Sequence, residues 1–216
     1  MPVLNIVTIT NNPISSNCFI LYESNNRDCI IVDPGTKNNV QLHDFLEKFS
    51  LSPKYIILTH EHFDHIWGVS NLKNRYPKIK VLCSQLCSEL IQNRKRNLSI
   101  YYDEVGFEIQ GNNVHVEDIN FEFDWFKRKI RFFSTPGHTD ASISFIIDNN
   151  LFVGDLIMDK NITVTNLPHG NKEKLKNSLR SLINLFENQV INVFSGHGSI
   201  FLLSDVFHIP HTLQRE

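Results

Sequence analysis

The sequence predicts an α/β protein that forms one domain, and three observations lead to this prediction. The chain has 216 residues, 41% of them apolar and 20% charged, which suits one domain with a sizeable core. Short apolar runs bounded by turn residues alternate with segments of helical periodicity. No repeat, low-complexity stretch or Gly/Ser linker divides residues 1–216. Two sheets packed face to face with helices outside are a natural solution for such elements.

In the first half of the chain, β-rich runs and helical periodicity alternate. The predicted strands are Val3–Thr10, Asn17–Tyr22, Asp28–Val32, Tyr55–Leu58 and Lys80–Leu82. The predicted helices, from apolar residues at helical spacing, are Leu42–Phe49, Ile66–Tyr76 and Leu86–Ile91. Residues 93–113 are less regular, and we expect their aromatic residues Tyr101, Tyr102 and Phe107 to pack against the protein, with a lid as the alternative.

The second half of the chain carries the clearest helix, Lys172–Glu187. Its apolar residues recur at i, i+4, i+7, i+8 and i+11 from Leu175, which defines one buried face. The predicted strands of this half are Phe121–Phe123, Ile130–Phe133, Ser142–Ile147, Leu151–Val153 and Val190–Phe194. The third and fourth of these form a hairpin around residues 148–150.

Composition excludes several classes of function. The formal net charge is -2 and no basic face or tail is evident, so nucleic acid is not an expected partner. No apolar run approaches the roughly 20 residues of a membrane span, and the N-terminus has no features of a signal peptide. We therefore expect a cytoplasmic protein whose four scattered cysteines are buried thiols. The oligomeric state is not predicted.

Histidine is the unusual residue, and its most informative segment is Thr59-His60-Glu61-His62-Phe63-Asp64-His65. The segment follows a buried strand and precedes a helix, which places it at the C-terminal end of a strand. His60 and His62, two residues apart in an extended turn, can share one cation. Asp64 and His65 lie past the bend and can bind a second. Imidazole and carboxylate are ligands expected for zinc, iron or manganese.

Three further segments each consist of a strand, a turn with glycine and a candidate ligand. They deliver His138 after Gly137, Asp155 after Gly154 and His197 after Gly196. Glycine lets the backbone turn sharply and approach a site closely. Each segment alone is weak evidence, but together with the first motif they favour a metal centre of seven ligands.

This order of motifs resembles that of the metallo-β-lactamase-fold hydrolases, and most of all the glyoxalase II (hydroxyacylglutathione hydrolase) branch. The similarity covers residues 3–200, including Asp33-Pro34-Gly35. It implies an αββα four-layer sandwich with two divalent metal ions. Zinc is the favoured metal, and iron and manganese are the alternatives. The first ion would be bound by His60, His62 and His138 and the second by Asp64, His65 and His197, with Asp155 bridging them.

Two departures from glyoxalase II affect glutathione recognition. Only residues 198–216 follow His197, too few for the C-terminal helical domain that helps to bind glutathione in that branch. The Arg-containing loop after the bridging aspartate is also absent, because Asp155 is followed by Leu156-Ile157-Met158. We expect weak binding of glutathione thioesters. Candidate substrate-binding residues are His169, Tyr101 and Tyr102.

The predicted activity is hydrolysis of a small acyl ester, and a thioester is the first choice. Two ions a few ångströms apart can bridge a hydroxide at neutral pH, and Asp64 is the candidate that orients it and takes part in proton transfer. Alternatives in the same fold are a lactone or ester hydrolase and a persulfide dioxygenase with one iron, bound by His60, His138 and Asp155. A scaffold that has lost its catalytic function is disfavoured because all seven ligand positions are filled.

Overall fold

The computed structural model describes residues 2–111, 114–115, 122–159 and 162–208, with the backbone alone at 114, 115, 207 and 208. Contacts divide the chain into two compact units, Met1–His115 and Val116–Glu216. The single domain over 1–216 stays a prediction. Among the described residues, no helix has the length and apolar character needed to cross a bilayer.

The first unit contains a mixed six-stranded sheet in the order β1-β2-β3-β4-β5-β6. β1 to β3 are antiparallel, whereas β3 to β6 run parallel. The strands are β1 Leu4–Thr10, β2 Asn17–Glu23, β3 Asp28–Val32, β4 Ser52–Ile57, β5 Lys80–Cys83 and β6 Val114–His115. The helices are α1 Val40–Lys48, α2 Phe63–Ile66, α3 Val69–Arg75, α4 Gln85–Leu90 and α5 Ser99–Tyr102.

The parallel strands of this sheet are apolar on both faces because both are buried. Ile30, Ile31, Ile56 and Ile57 are all fully buried, as expected for parallel strands covered on each side. The loop after β4 therefore leaves the centre of the sheet, which positions the ligand motif at a strand end as predicted.

The second unit contains another six-stranded sheet, in the order β12-β11-β10-β9-β8-β7, in which only β10 and β11 are parallel. Its strands are β7 Glu122–Trp125, β8 Arg128–Ser134, β9 Ile143–Ile147, β10 Asn150–Gly154, β11 Asn192–Ser195 and β12 Phe201–Leu202. Helix α6, Lys172–Leu185, begins at the Asn171 cap, and a 3-10 helix spans Leu203–His208.

The sheet of the second unit is stabilised by helix α6 and by contacts between aromatic rings. Leu179 and Leu182 of α6 pack with Phe133 and Val153 in one apolar cluster, as the helical periodicity predicted. Stacked rings also cross the strands, with centroids 4.6 Å apart for Phe145 and Phe152 and 4.7 Å for Phe152 and Phe194. The paired strands β10 and β11 are thereby held side by side at the ends where ligands follow.

Two predicted elements differ from the structure, and one observed strand is additional. The helix predicted over Ile66–Tyr76 is interrupted after Ile66, so that this part of the chain forms two short helices, α2 and α3. β4 starts at Ser52 and includes Pro53, which the sheet tolerates because the register with β3 shifts next to it, between Cys29 and Ile30. The short strand β12 was not predicted. Phe121, predicted as strand, lies outside the described residues.

Candidate metal centre

The first unit contributes four ligand candidates from the loop after β4 and the start of α2. His60, His62 and His65 are buried, and the ring centroid of His60 lies 4.8 Å from that of His62 and 4.2 Å from that of His65. Asp64 lies 3.6 Å from His65, measured from Oδ2 to Nε2. The four predicted residues of this motif therefore converge, with three imidazoles and a carboxylate in one place.

A buried aspartate at the end of β3 orients this loop. Asp33 Oδ1 accepts a hydrogen bond from the Thr59 amide at 2.8 Å, and Oδ2 accepts one from the Thr59 hydroxyl at 2.7 Å. Oδ2 also lies 3.1 Å from His65 Nδ1. Because a carboxylate can only accept, Nδ1 of His65 donates this hydrogen bond, which leaves Nε2 as its candidate ligand atom.

The same aspartate acts on a second histidine through Thr59. The Thr59 hydroxyl donates a hydrogen bond to Asp33, so its oxygen accepts a hydrogen bond from Nδ1 of His60, which lies 3.0 Å away. His60, like His65, is thus set to present Nε2. The structure fixes the tautomer of two ligand candidates through one carboxylate, a contribution that second-sphere partners commonly make to metal sites.

Two hydrogen bonds around the backbone of Asp64 interrupt the helix. The Ser16 hydroxyl donates to the Asp64 carbonyl at 2.6 Å, and the Gly68 amide donates to Pro34 at 2.7 Å instead of to Asp64. The hydrogen bond that would join α2 to α3 is therefore not formed. Gly35 makes this approach possible, since a Cβ there would lie 1.5 Å from the Asp64 carbonyl oxygen.

The second unit contributes three ligand candidates. Asp155 Oδ2 lies 3.6 Å from His138 Nε2 and 3.5 Å from His197 Nε2, so the carboxylate is placed between two imidazoles. His138 Nδ1 donates to the Val164 carbonyl at 2.8 Å, which leaves Nε2 as its ligand atom. His138 and Asp155 are buried and His197 is partly exposed.

Backbone contacts bring these three turns together. The Gly196 amide donates to the Gly154 carbonyl at 2.7 Å, which ties the ends of β10 and β11 where Asp155 and His197 follow. A Cβ on Gly137 would lie 2.3 Å from the backbone of Leu175, so only glycine lets the His138 turn pack against α6. The predicted strand–glycine–ligand pattern has this physical basis.

The donor set fits metal ions. All seven predicted ligands belong to groups of His and Asp that could hold a metal ion. Burial of such polar groups is costly without compensation, and an imidazole and carboxylate set suits zinc, iron or manganese. Each unit by itself supplies at least three such side chains, with the Nε2 atoms of three histidines selected by their hydrogen bonds.

The predicted substrate-binding residues lie in both units. Tyr101 and Tyr102 are in α5 of the first unit, with exposed side chains. His169 is half-buried, with a positive φ of 69°, in the turn before α6. That turn is attached to the His138 loop, because the Asn171 amide donates to Gly137 at 2.8 Å. Their role in binding stays a prediction.

Sequence reasoning missed several contributors. Asp33 enters the sequence analysis only as part of the resemblance, although an acidic residue directly after a buried strand is a signal of a possible role. The sequence analysis assigns no role to Glu61, yet its side chain is fully buried. It lies near Cys87, whose pKa is raised first by a hydrogen bond with Cys83, then by burial and by charges that include Glu61. The Val164 carbonyl had no sequence signal at all.

The chain matches the model of the Metallo-beta-lactamase superfamily over residues 11–186. It therefore belongs to that superfamily, and the predicted fold is confirmed. The crystal structure of BLEG-1 B3 metallo-beta-lactamase superposes on it with a TM-score of 0.87 at 26% identity, covering 96% of this chain and 99% of the other. The di-iron-bound structure of TTHA1623 has a TM-score of 0.74 at 23% identity, covering 97% and 98%.

Relatives in sequence carry the name of the enzyme that the motifs resemble. The hydroxyacylglutathione hydrolase of Buchnera aphidicola is 33% identical over 80% of this chain, which spans 59% of that protein's length. Hydroxyacylglutathione hydrolase GloC of Haemophilus influenzae is 26% identical over 91% of this chain and 92% of its own. The predicted class, a metal-dependent hydrolase similar to glyoxalase II, agrees with these relatives.

Proposed function

We propose that this protein is a binuclear metal-dependent hydrolase that cleaves a small acyl thioester. The observation that carries the proposal is the set of seven buried or partly buried His and Asp residues that could hold metal ions, three of whose imidazoles make hydrogen bonds through Nδ1 that leave Nε2 as the candidate ligand atom. In this proposal one ion is held by His60, His62 and His138, the other by Asp64, His65 and His197, and Asp155 is shared. Zinc is the first candidate, with iron and manganese as alternatives.

Two bound divalent ions would supply an activated water at neutral pH and polarise the carbonyl of the substrate. The chain's own contribution is orientation. Asp33 and Thr59 hold His60 and His65, and Ser16 and Gly35 fix the backbone that carries Asp64. Asp64, whose carboxylate is partly exposed, orients the attacking water and accepts its proton. The leaving thiolate needs little stabilisation because the pKa of a thiol is lower than that of an alcohol.

The choice of a thioester is supported by the relatives. GloC matches this chain over nearly its full length and is named a hydroxyacylglutathione hydrolase. A hydroxyacylglutathione is therefore the first substrate to test, although the sequence predicts weak binding of its tripeptide. A lactone or another ester would use the same attack on a carbonyl carbon and belongs in the same panel.

The test uses protein stripped with a chelator and reloaded separately with zinc, iron(II) or manganese(II). Lactoylglutathione, acetyl and hexanoyl thioesters of a simple thiol, and a small lactone are assayed for hydrolysis, and glutathione persulfide is assayed for oxygen uptake. We expect thioester hydrolysis that is lost on stripping and restored by metal. Oxygen uptake with the persulfide, without hydrolysis of any thioester, would contradict the proposal and favour the dioxygenase.

A further inference from the structure

We propose that an aromatic wall formed by Phe63, Trp67, Tyr102 and Phe107 contacts the acyl chain of the substrate and favours apolar chains longer than acetyl. This inference rests on the proposed function for the position of the carbonyl group. The inference goes beyond the proposed function because it assigns a surface that determines substrate specificity. This surface lies within the first unit, and Tyr102 is its most exposed residue.

The wall starts inside the ligand loop. Phe63 stands between His62 and Asp64 in the chain, so its Cα lies about 4 Å from that of either neighbour. Its ring stacks on Tyr102, with centroids 4.9 Å apart and planes at 23°. Trp67 lies 5.7 Å from Tyr102 and stacks on Phe107 at 5.4 Å with planes at 9°. The four rings thus form one continuous cluster, and one of its members, Phe63, is the chain neighbour of two ligand candidates.

Tyr102 is held at this surface by a rigid segment. The buried Asn97 donates to the Phe107 carbonyl at 2.9 Å, and the Ser99 hydroxyl accepts from the Phe107 amide at 2.8 Å. The Asn97 carbonyl in turn accepts from the Phe63 amide at 2.9 Å. Buried polar side chains therefore close the loop 97–107 and attach it to the ligand motif. An ordered segment of this kind is suited to contact with a ligand more than to opening as a lid.

Part of this aromatic surface is exposed to water, which is unfavourable for apolar groups. The Tyr102 side chain is 46% exposed, and Val105 in the same loop is 68% exposed. A contiguous apolar surface that is partly exposed to water commonly marks a ligand-binding or partner-binding site. Aromatic rings make favourable apolar contacts with a methylene chain, whereas they offer no hydrogen-bonding or charged partner to the carboxylates of a glutathione group. The acyl chain is therefore the part of the substrate that fits this wall.

The experiment measures binding of the carboxylate products acetate, butyrate, hexanoate and octanoate to zinc-loaded protein by titration calorimetry. Half-burial of four methylenes predicts a gain of about tenfold from acetate to hexanoate. Tyr102→Ala should remove most of this gain, and Tyr102→Phe should keep it. The matched control is Phe49→Ala at the end of α1, because Phe49 is also 46% exposed and also packs against a phenylalanine ring, that of Phe45, with centroids 4.5 Å apart.

Equal affinity of the unaltered protein for all four carboxylates would overturn the inference, and so would equal losses in Tyr102→Ala and Phe49→Ala. A dependence on chain length seen only with alkyl thiols would also overturn it, since the wall would then serve the leaving group. Because the readout is binding, it is separate from the proposed reaction. Selective binding of hexanoate by a protein that hydrolyses no thioester would support the wall and reject the reaction.

Discussion

Replacement of Asp33 by asparagine tests the claim that one buried carboxylate orients two metal ligands. The amide can keep one acceptor oxygen for the Thr59 backbone, but its NH₂ group then faces the Thr59 hydroxyl and His65 Nδ1, which lie 2.7 Å and 3.1 Å from Oδ2. Both hydrogen bonds are lost, and His65 is no longer held in the tautomer that presents Nε2. A hydrogen bond to a charged group contributes about 1.5–3 kcal/mol.

From these losses we expect Asp33→Asn to lower zinc affinity by about 10- to 100-fold, the usual effect of removing a partner of a metal ligand. The affinity is measured by competition with a chromogenic chelator, and urea unfolding of the metal-free protein gives the change in stability. Thr59→Val, which removes only the hydroxyl 3.0 Å from His60 Nδ1, should have a smaller effect in the same direction and keeps the test open if Asp33→Asn does not fold.

The control is Asp28→Asn at the other end of β3. Asp28 forms an ion pair with Lys54 at 3.4 Å on the surface, and such exposed pairs contribute at most about 1 kcal/mol. This variant should bind zinc as the unaltered protein does. If Asp33→Asn also bound zinc with unchanged affinity, the orienting role of Asp33 would be refuted.

Three other predictions concern the ligand loop and the thiols. Asp64→Asn should fold, as judged by circular dichroism, but lose at least roughly 100-fold in kcat on the best thioester; near-full activity would reject its role in proton transfer. Gly35→Ala should lower the free energy of unfolding by at least about 2 kcal/mol in urea, because its Cβ meets the Asp64 carbonyl; an unchanged midpoint would contradict the close approach. The four buried cysteines should resist an aromatic disulfide reagent until the protein is unfolded, since burial raises the pKa of the Cys29 thiol to about 12 and the pKa of Cys18 further; rapid labelling of the native protein would be the opposite result.

The candidate ligand residues of both units can be recognised in the sequence because their signal is local. An imidazole or carboxylate directly after a buried strand, with glycine at the turn, has few structural explanations, and the resemblance to a known family supplied the pairing. The core strands were predictable for a similar reason. A run such as Ile30-Ile31-Val32 is apolar at every position because both of its faces are buried.

The contacts that orient the ligands could not be predicted in the same way, because they join residues far apart in the chain. The break between α2 and α3 depends on Ser16 reaching Asp64 and on Pro34 accepting from Gly68, while the local apolar spacing favours one helix. The Val164 carbonyl that orients His138 is a backbone group that any residue could supply. The inclusion of Pro53 in β4 depends on a bulge against β3.

The metal content of the purified protein tests the central claim most directly. Protein prepared without chelator, loaded with excess zinc and freed of unbound metal is analysed by mass spectrometry of the elements, with the protein concentration from amino-acid analysis. Seven ligands in two sets predict close to two ions per chain, falling to about one or fewer in Asp155→Asn, which removes the shared carboxylate. A firm value of one iron per chain, with zinc neither retained nor active, would contradict the binuclear hydrolase.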